Sequence, residues 1–288
     1  MKIWIFLPAY NEEKALEKLL PKLQDVLSAR ADEYCVVTVD DGSRDGTAAV
    51  LERFKDTLPL ETITHAINRG LGETERDGFE FIAARCEDDD VVVRLDCDDT
   101  HEPANIIAMV NAIGDQADVV VASRFASGGG QLGVPSDRAW ISQAANLFMK
   151  LMFNIPGVKD YSCGYRAYRG RVLKDAIRIF GNSFIQLRGL GFTSTLETIV
   201  KLNMLGCRFA EVPFVLRYDQ KVGSSKMVTS LTTLGYMVLA FVHHWPFGGW
   251  RTLYRDLGAT YQNSPADAHR QFNRAVLKHT MISKLGGG

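Results

Sequence analysis

The chain has 288 residues, with 33 Lys and Arg against 34 Asp and Glu and a formal net charge of −1, so its overall charge gives no reason to expect a nucleic-acid partner. Its five cysteines are odd in number, scattered, and form no C-x-x-C, which points away from a disulfide framework or cysteine zinc site and toward a reducing, cytoplasmic setting. No stretch reaches the roughly 18–20 apolar residues that crossing a bilayer takes, and "MKIWIFLPAYNEE" has no h-region or cleavage site, so no signal peptide is expected.

From the N-terminus, short β-branched runs alternate with helical patterns. "KIWIFL" (2–7), "CVVTV" (35–39), "TITHAI" (62–67), "VVVRL" (91–95) and "DVVVA" (118–122) read as strands. "EKALEKLLPKLQDVL", with Leu16, Leu19, Leu20, Leu23 and Leu27 on one face, reads as a helix. Pro21 inside it predicts a bend or break. The alternation predicts βαβ units, hence an α/β fold with a mostly parallel central sheet flanked by helices. Ligands of such sheets bind at the C-terminal strand ends, and there the sequence places "PAYNEE", "DDGS", "NRGLGE", "DCDDTHEP" and "SRFASGGG".

Beyond "ASGGGQLG" (126–133) the pattern changes. Residues 137–153 and 191–206 read as helices, and "RFAEVPFVLRY" (208–218) as one returning strand. A domain of residues 1–226 is expected, followed by a C-terminal helical extension, 227–288. Its segment "LTTLGYMVLAFVHHWPFGGW" (231–250) is apolar with aromatics at its end, and from His243 onward six Lys or Arg face two Asp. This suits a helix lying in a membrane headgroup region, on the inner face of the membrane; packing on the sheet or in a homodimer suits it equally.

Three motifs compete for the chemistry. Counted from Asp41, "DGSRDGTAAVLE" matches a calcium loop, with Asp41, Ser43 and Asp45 at positions 1, 3 and 5, Gly46 at 6 and Glu52 at 12. Four of the five residues of "CVVTV" before it are β-branched, however, so the entering helix is missing. Ala49 at position 9 offers no ligand. A strand-to-helix turn is the better reading, with Asp45 or Thr47 capping the next helix. In "RLDCDDTHEP", Asp96 and Asp98 at i and i+2 of an extended segment share one side, which suits a hard cation such as Mg²⁺ or Mn²⁺, while helix capping requires only one of them. "NRGLGETERDG" fails the dinucleotide pattern because Glu75 stands at the third glycine position.

Taken in order, "PAYNE" (8–12), "DDGSRDGT" (40–47), "NRGLG" (68–72), "LDCDD" (95–99), "SRFASGG" (123–129), "CGYRAY" (163–168), "LETIVKLNMLGCRFAEVPF" (196–214) and "GSSK" (223–226) resemble family 2 glycosyltransferases, most of all the group making dolichyl- or polyprenyl-phosphate mannose. The resemblance covers about residues 1–230 and implies a GT-A-like nucleotide-sugar-binding fold. It implies that Pro8, Ala9, Tyr10, Glu12 and Asp41 hold the nucleoside of a GDP- or UDP-sugar, and that Asp96 and Asp98 hold Mg²⁺ or Mn²⁺ on its diphosphate. Arg124, Arg217 and Lys226 match positions that contact phosphates, and Arg138 and Ser142 match those that meet the acceptor. Thr100 departs from the pattern, standing where the mannose synthases carry a metal-binding glutamine.

Sugar transfer from a nucleoside diphosphate builds charge on the leaving phosphate, which a metal and an Arg or Lys clamp stabilise. Attack from the opposite face inverts the anomeric centre. A polyprenyl phosphate acceptor is already anionic and needs no base; a sugar hydroxyl does. Glu197 is the one candidate for that base, with a helix-surface pairing to Lys201 at i+4 as its alternative. The expected catalytic residues are therefore Asp98, Arg124 and Glu197.

Overall fold

The computed structural model describes residues 1–30, 32–114, 117–221, 223, 226, 228–245 and 248–272. Its first half is a run of βα units: β1 (Lys2–Ala9), α1 (Glu13–Ser28), β2 (Glu33–Asp40), α2 (Thr47–Phe54), β3 (Leu60–Thr64), α3 (Leu71–Ala83), β4 (Val91–Arg94), α4 (Asn105–Ala112) and β5 (Val119–Ser123). The second half adds β6 (Gly130–Leu132), α5 (Ser136–Phe153), β7 (Arg166–Arg169), α6 (Gly170–Phe180), α7 (Thr193–Met204), β8 (Phe209–Pro213) and β9 (Val215–Arg217). Four helices follow: α8 (Thr229–His244), α9 (Gly249–Leu253), α10 (Leu257–Asn263) and α11 (Pro265–Phe272).

The main sheet has the order β3-β2-β1-β4-β7-β5-β8. Every pairing is parallel except those of β7, which runs antiparallel to both β4 and β5. Helices cover both faces, so alternate residues of one strand enter different cores. Ile3, Ile5 and Leu7 pack with Leu16, Leu19 and Leu23 of α1, while Trp4 and Phe6 pack with Phe79 and with Leu173 of α6. Tyr254, Leu257, Tyr261, Ala268 and Phe272 join this second cluster, so α10 and α11 pack against the sheet domain.

Three features differ from the sequence expectation. α1 runs through Pro21 without a break, because Leu16, Leu19, Leu20, Leu23 and Leu27, all buried, bind it to the sheet on both sides of the missing hydrogen bond. The returning strand is two strands: β8 pairs with β5, the chain turns at Pro213 and buried Phe214, and β9 pairs with β6 in a separate two-stranded sheet. Proline at the end of β8 has no N–H with which to continue the ladder. β7 was not foreseen, because "RAYR" is too short and too charged to show a period of two.

Candidate active site

The β1–α1 and β2–α2 turns interlock at the C-terminal edge of the sheet. The Asn11 backbone N–H donates to Ser43 Oγ at 2.8 Å, and the Arg44 N–H donates to Asn11 Oδ1 at 2.8 Å. Glu12 N–H donates to Thr47 Oγ1, and Gly46 N–H donates to Glu13 Oε2 at 3.1 Å. Asn11 sits at φ 51°, a left-handed conformation that asparagine tolerates. The N-cap position of α2 is Gly46, and Asp45 before it accepts the Thr47 N–H on Oδ1 at 3.0 Å, satisfying the first amide of the helix in a strand-to-helix turn.

Asp41, expected at the nucleoside, is buried. Its Oδ1 faces His65 Nδ1 at 2.7 Å and accepts the Arg69 N–H at 2.8 Å, while Oδ2 accepts the Gly70 N–H at 2.8 Å. It therefore ties the β3–α3 loop to the end of β2, with both oxygens engaged by the fold. Pro8 and Ala9 end β1, Ala9 buried and Pro8 half-buried. Tyr10 is half-buried, and its carbonyl accepts from Lys226 Nζ, which also reaches the Asn11 carbonyl at 2.9 Å and the Glu12 carboxylate. Burial raises the Glu12 pKa, an effect that Lys226 opposes without cancelling.

The second half of the site is the β4–α4 loop. Asp96 Oδ1 pairs with Arg94 Nη1 at 2.5 Å, and Arg94 Nε lies 3.0 Å from Glu75 Oε1. The backbone N–H of Asp96 donates to His101 Nδ1 at 3.0 Å, which places the proton of an uncharged ring on Nε2, 3.6 Å from Asp96 Oδ2. His101 stacks on Tyr165 at 5.0 Å. Burial lowers the His101 pKa, despite Asp96 and Asp98. Burial raises the pKa of Asp96, but Arg94 and His101 outweigh it and hold the group below the ordinary carboxylate range.

Asp98 accepts from Thr100 Oγ1 at 2.6 Å and from Lys221 Nζ. Burial lowers the Lys221 pKa, and Asp98, helped by Asp96 and Glu12, outweighs this and raises it. Glu12, Asp96 and Asp98 therefore form one acidic group, facing lysines from the chain between β9 and α8. Asp96 and Asp98, expected to present their carboxylates together, have different immediate partners, and Lys221 is the cation that feels both. Cys97 between them is buried.

Other expected residues serve different partners. Arg124 lies on Asp160, Nε and Nη2 each at 2.7 Å, with Nη2 also donating to Ser162 Oγ at 2.6 Å. It is thus a clamp on its own chain. Glu197, the candidate base, is fully buried, with Oε1 accepting the Gln186 N–H and the Lys201 ammonium and Oε2 accepting the Leu187 N–H at 2.9 Å. The geometry corrects that candidacy: the i+4 pairing with Lys201 is present, and no part of the carboxylate is exposed to a substrate. Arg217 forks onto Asp219, Nε at 3.0 Å and Nη2 at 2.9 Å, and its backbone N–H donates to the Thr100 carbonyl at 3.0 Å, placing it beside the acidic loop. Arg138 Nη1 donates to Tyr218 Oη at 2.7 Å, one residue beyond Arg217. Ser142 lies half-buried one turn further along α5.

Arg94, His101 and Lys221 escaped the sequence reading. Arg94 had a signal, a lone charge inside the apolar strand "VVVRL"; Lys221 had none beyond its charge. Gly164 explains part of "CGYRAY", since a Cβ there would come within 2.2 Å of Arg94 Nη1.

The donor set suits a hard divalent cation. Two carboxylates and a hydroxyl supply oxygen, and an ammonium already stands on Asp98 as a surrogate cation. Among the described residues no three His, Cys, Asp or Glu side chains converge on one point, so an ion held here draws its remaining ligands from water and phosphate, as Mg²⁺ commonly does.

A mostly parallel sheet carrying acidic βα loops at its C-terminal edge is the GT-A arrangement of glycosyltransferases. The profile of glycosyl transferase family 2 matches residues 4–176, and the chain belongs to that family as a glycosyltransferase. It is 31% identical over 228 residues to an undecaprenyl-phosphate mannosyltransferase of Micrococcus luteus, a match covering 79% of this chain and 88% of that protein. It is 28% identical over 225 residues to a polyprenol monophosphomannose synthase of Mycolicibacterium smegmatis, covering 77% and 80%. In fold it is similar to glucosyl-3-phosphoglycerate synthase from Mycobacterium tuberculosis, crystallised with Mn²⁺, uridine diphosphate and phosphoglyceric acid. That likeness has a TM-score of 0.54 at 17% identity and covers 83% of this chain and 76% of the other.

Proposed function

We propose that this glycosyltransferase moves a sugar from a nucleoside-diphosphate sugar, GDP- or UDP-linked, to a polyprenyl phosphate, inverting the anomeric carbon and using Mg²⁺ or Mn²⁺ held by Asp96 and Asp98. The observation that carries it is the acidic group Glu12, Asp96 and Asp98, matched by Lys221 and Lys226 from a neighbouring segment. The names of the two mannosyl-transferring relatives support the acceptor, and the Mn²⁺ and uridine diphosphate of the structural relative support the metal and donor. The engagement of Glu197 by three donors also favours a phosphate acceptor, whose oxygen is already anionic and needs no base.

In this reading the bound ion supplies electrostatic stabilisation of the leaving diphosphate. Arg94 and His101 orient Asp96. Lys221, released from Asp98, turns with Lys226 toward the donor phosphates, and Arg217 exchanges its exposed partner Asp219 for a phosphate oxygen. Pro8, Ala9, Tyr10 and Glu12 line the nucleoside, with Asp41 acting through the Arg69–Gly70 loop it holds. Arg138 and Ser142 meet the acceptor phosphate, and Arg124 acts as a positioning residue. Residues 1–226 carry the reaction, and residues 227–288 hold the enzyme at the membrane.

The test is a panel of GDP- and UDP-sugars with Mg²⁺ or Mn²⁺, with and without a polyprenyl phosphate, scored for nucleoside diphosphate and lipid-linked sugar. Lipid-linked sugar formed by the wild type and lost in Asp98→Asn is the expected result. Transfer only to hydroxyl acceptors would overturn the acceptor, and no turnover of any donor would overturn the whole reading.

A further inference from the structure

The C-terminal ends of α5 and α8 meet: the rings of Phe153 and His243 lie 5.3 Å apart, and His244 Nε2 donates to the Met152 carbonyl at 2.8 Å. Where they end, a cleft of about 570 Å³ opens against α7 and the chain after α9. A smaller cavity of about 340 Å³ shares His244, Arg251 and Arg255 with it. Among the described residues, no carboxylate lines either one. Arg251 Nη1 donates to His244 Nδ1 at 3.3 Å, and neither Arg251 nor Arg255 has an ion pair among the described residues. His243, 7% exposed, lines the cleft with its Nδ1 buried and without a hydrogen-bond partner among the described residues. Its burial, with His244 and Arg251 beside it, pushes its pKa down to about 4. Two guanidiniums without an ion pair among the described residues, beside a buried ring nitrogen that can carry the neutral ring's proton, are donors suited to an oxyanion.

The cleft adjoins apolar surface. α5 exposes Trp140, Leu147 and Leu151, and α8 exposes Leu234, Met237, Phe241 and the following Trp245. On α8 these residues recur at three- and four-residue spacing, and on α5 Trp140 and Leu147 stand two turns apart with Leu151 one turn further, one stripe per helix. Leu151 belongs both to its stripe and to the lining of the cleft. Arg138, at the other end of α5, is thirteen residues from Leu151, or about 20 Å along the helix. The cleft is therefore separate from the place assigned to the acceptor phosphate.

We propose that this cleft seats the phosphate of an anionic lipid headgroup, with Arg251 and Arg255 as its ligands, and thereby holds the apolar stripes of α5 and α8 on the bilayer. Tryptophan at the end of an apolar stripe is at home in the headgroup layer, and guanidiniums there favour anionic over neutral lipid. Headgroup binding and sugar transfer are separate events, so failure of one leaves the other standing.

The experiment is sedimentation of the full chain with vesicles of phosphatidylcholine alone or mixed with phosphatidylglycerol, using wild type and the double variant Arg251→Gln/Arg255→Gln. The wild type should prefer the anionic vesicles by about tenfold or more. The double variant should lose that preference while keeping its helical circular dichroism. Glycerol phosphate at millimolar concentration should weaken wild-type binding to the anionic vesicles, a readout that needs no variant. An undiminished preference in the double variant would overturn the proposal, because the basic tail would then be its source. So would perturbation of the His243 resonances by inorganic phosphate without any vesicle preference, which would make the cleft a site for soluble phosphate.

Discussion

At the scale of single residues, the site is held by buried charge pairs whose loss has a defined sign. Asp160 is fully buried on Arg124. Asp160→Asn should cost about 3–5 kcal/mol at neutral pH by leaving a buried guanidinium unpaired, measured by urea unfolding. Burial raises the Asp160 pKa, and the Arg124 pairing more than reverses it, so the folded-state value lies below the ordinary one. A depressed carboxyl contributes stability that is complete above its unfolded value, near 3.9, and lost as pH falls through the folded value. Wild type should therefore lose a share of stability below about pH 4 that Asp160→Asn does not have to lose. Equal acid sensitivity of the two proteins would show that the pair is not what the low pH breaks. Lys221→Ala should tighten Mn²⁺ binding to the free protein by about threefold or more, because the ion no longer displaces an ammonium from Asp98. Electron paramagnetic resonance of unbound Mn²⁺ reads this directly, and an unchanged affinity would remove Lys221 from the cation site.

At the scale of elements, the strands were legible because β1, β2, β4 and β5 are apolar runs ending in polar loops, and their C-terminal edges meet as the alternation implies. The motif acids Asp41, Asp96 and Asp98 stand in the loops at those edges. What stayed hidden were partners outside the local pattern: Lys221 on Asp98 and Asp160 on Arg124, brought in from far along the chain, and the Gln186 and Leu187 amides of the loop before α7 on Glu197. No local pattern records which distant group will satisfy a carboxylate. β7 was hidden because its Arg166 and Arg169 look like surface charge, although Arg166 is buried with its guanidinium on the Thr195 and Tyr161 carbonyls. Gly164, beside β7, gives an element-level test. Gly164→Ala should destabilise by about 1–3 kcal/mol through overpacking and weaken activity further by moving Arg94 off Asp96. Thermal unfolding together with a Mn²⁺ titration checks it, and a variant with wild-type values in both would show that the guanidinium yields freely.

At the scale of the whole molecule, two helices extend from the reaction edge to a basic cleft at their far end, with apolar stripes between. None of the described helices is long and apolar enough to cross a membrane. In the proposed reading, the lipid acceptor reaches the site from a surface on which the enzyme rests. Replacing Met237 and Phe241 with Ser on exposed α8 should leave stability within about 0.5 kcal/mol and lower turnover of a long-chain acceptor more than of a short-chain one. Equal loss with both acceptors would argue against the surface role.

The central antiparallel strand also dictates an order of assembly. β1 through β4 are contiguous in sequence and pair among themselves, so half of the sheet can close once residue 94 is present. β5 has no neighbour in that half. It joins only through β7, made of residues 166–169, and β8, residues 209–213. On a ribosome, residues 119–123 therefore wait some forty residues for the first partner that connects them to the growing sheet, exposing an apolar strand meanwhile, and pairings of such separation are slow to form. Pulse-labelled hydrogen exchange during refolding should find the β1 and β2 amides protected before those of β5.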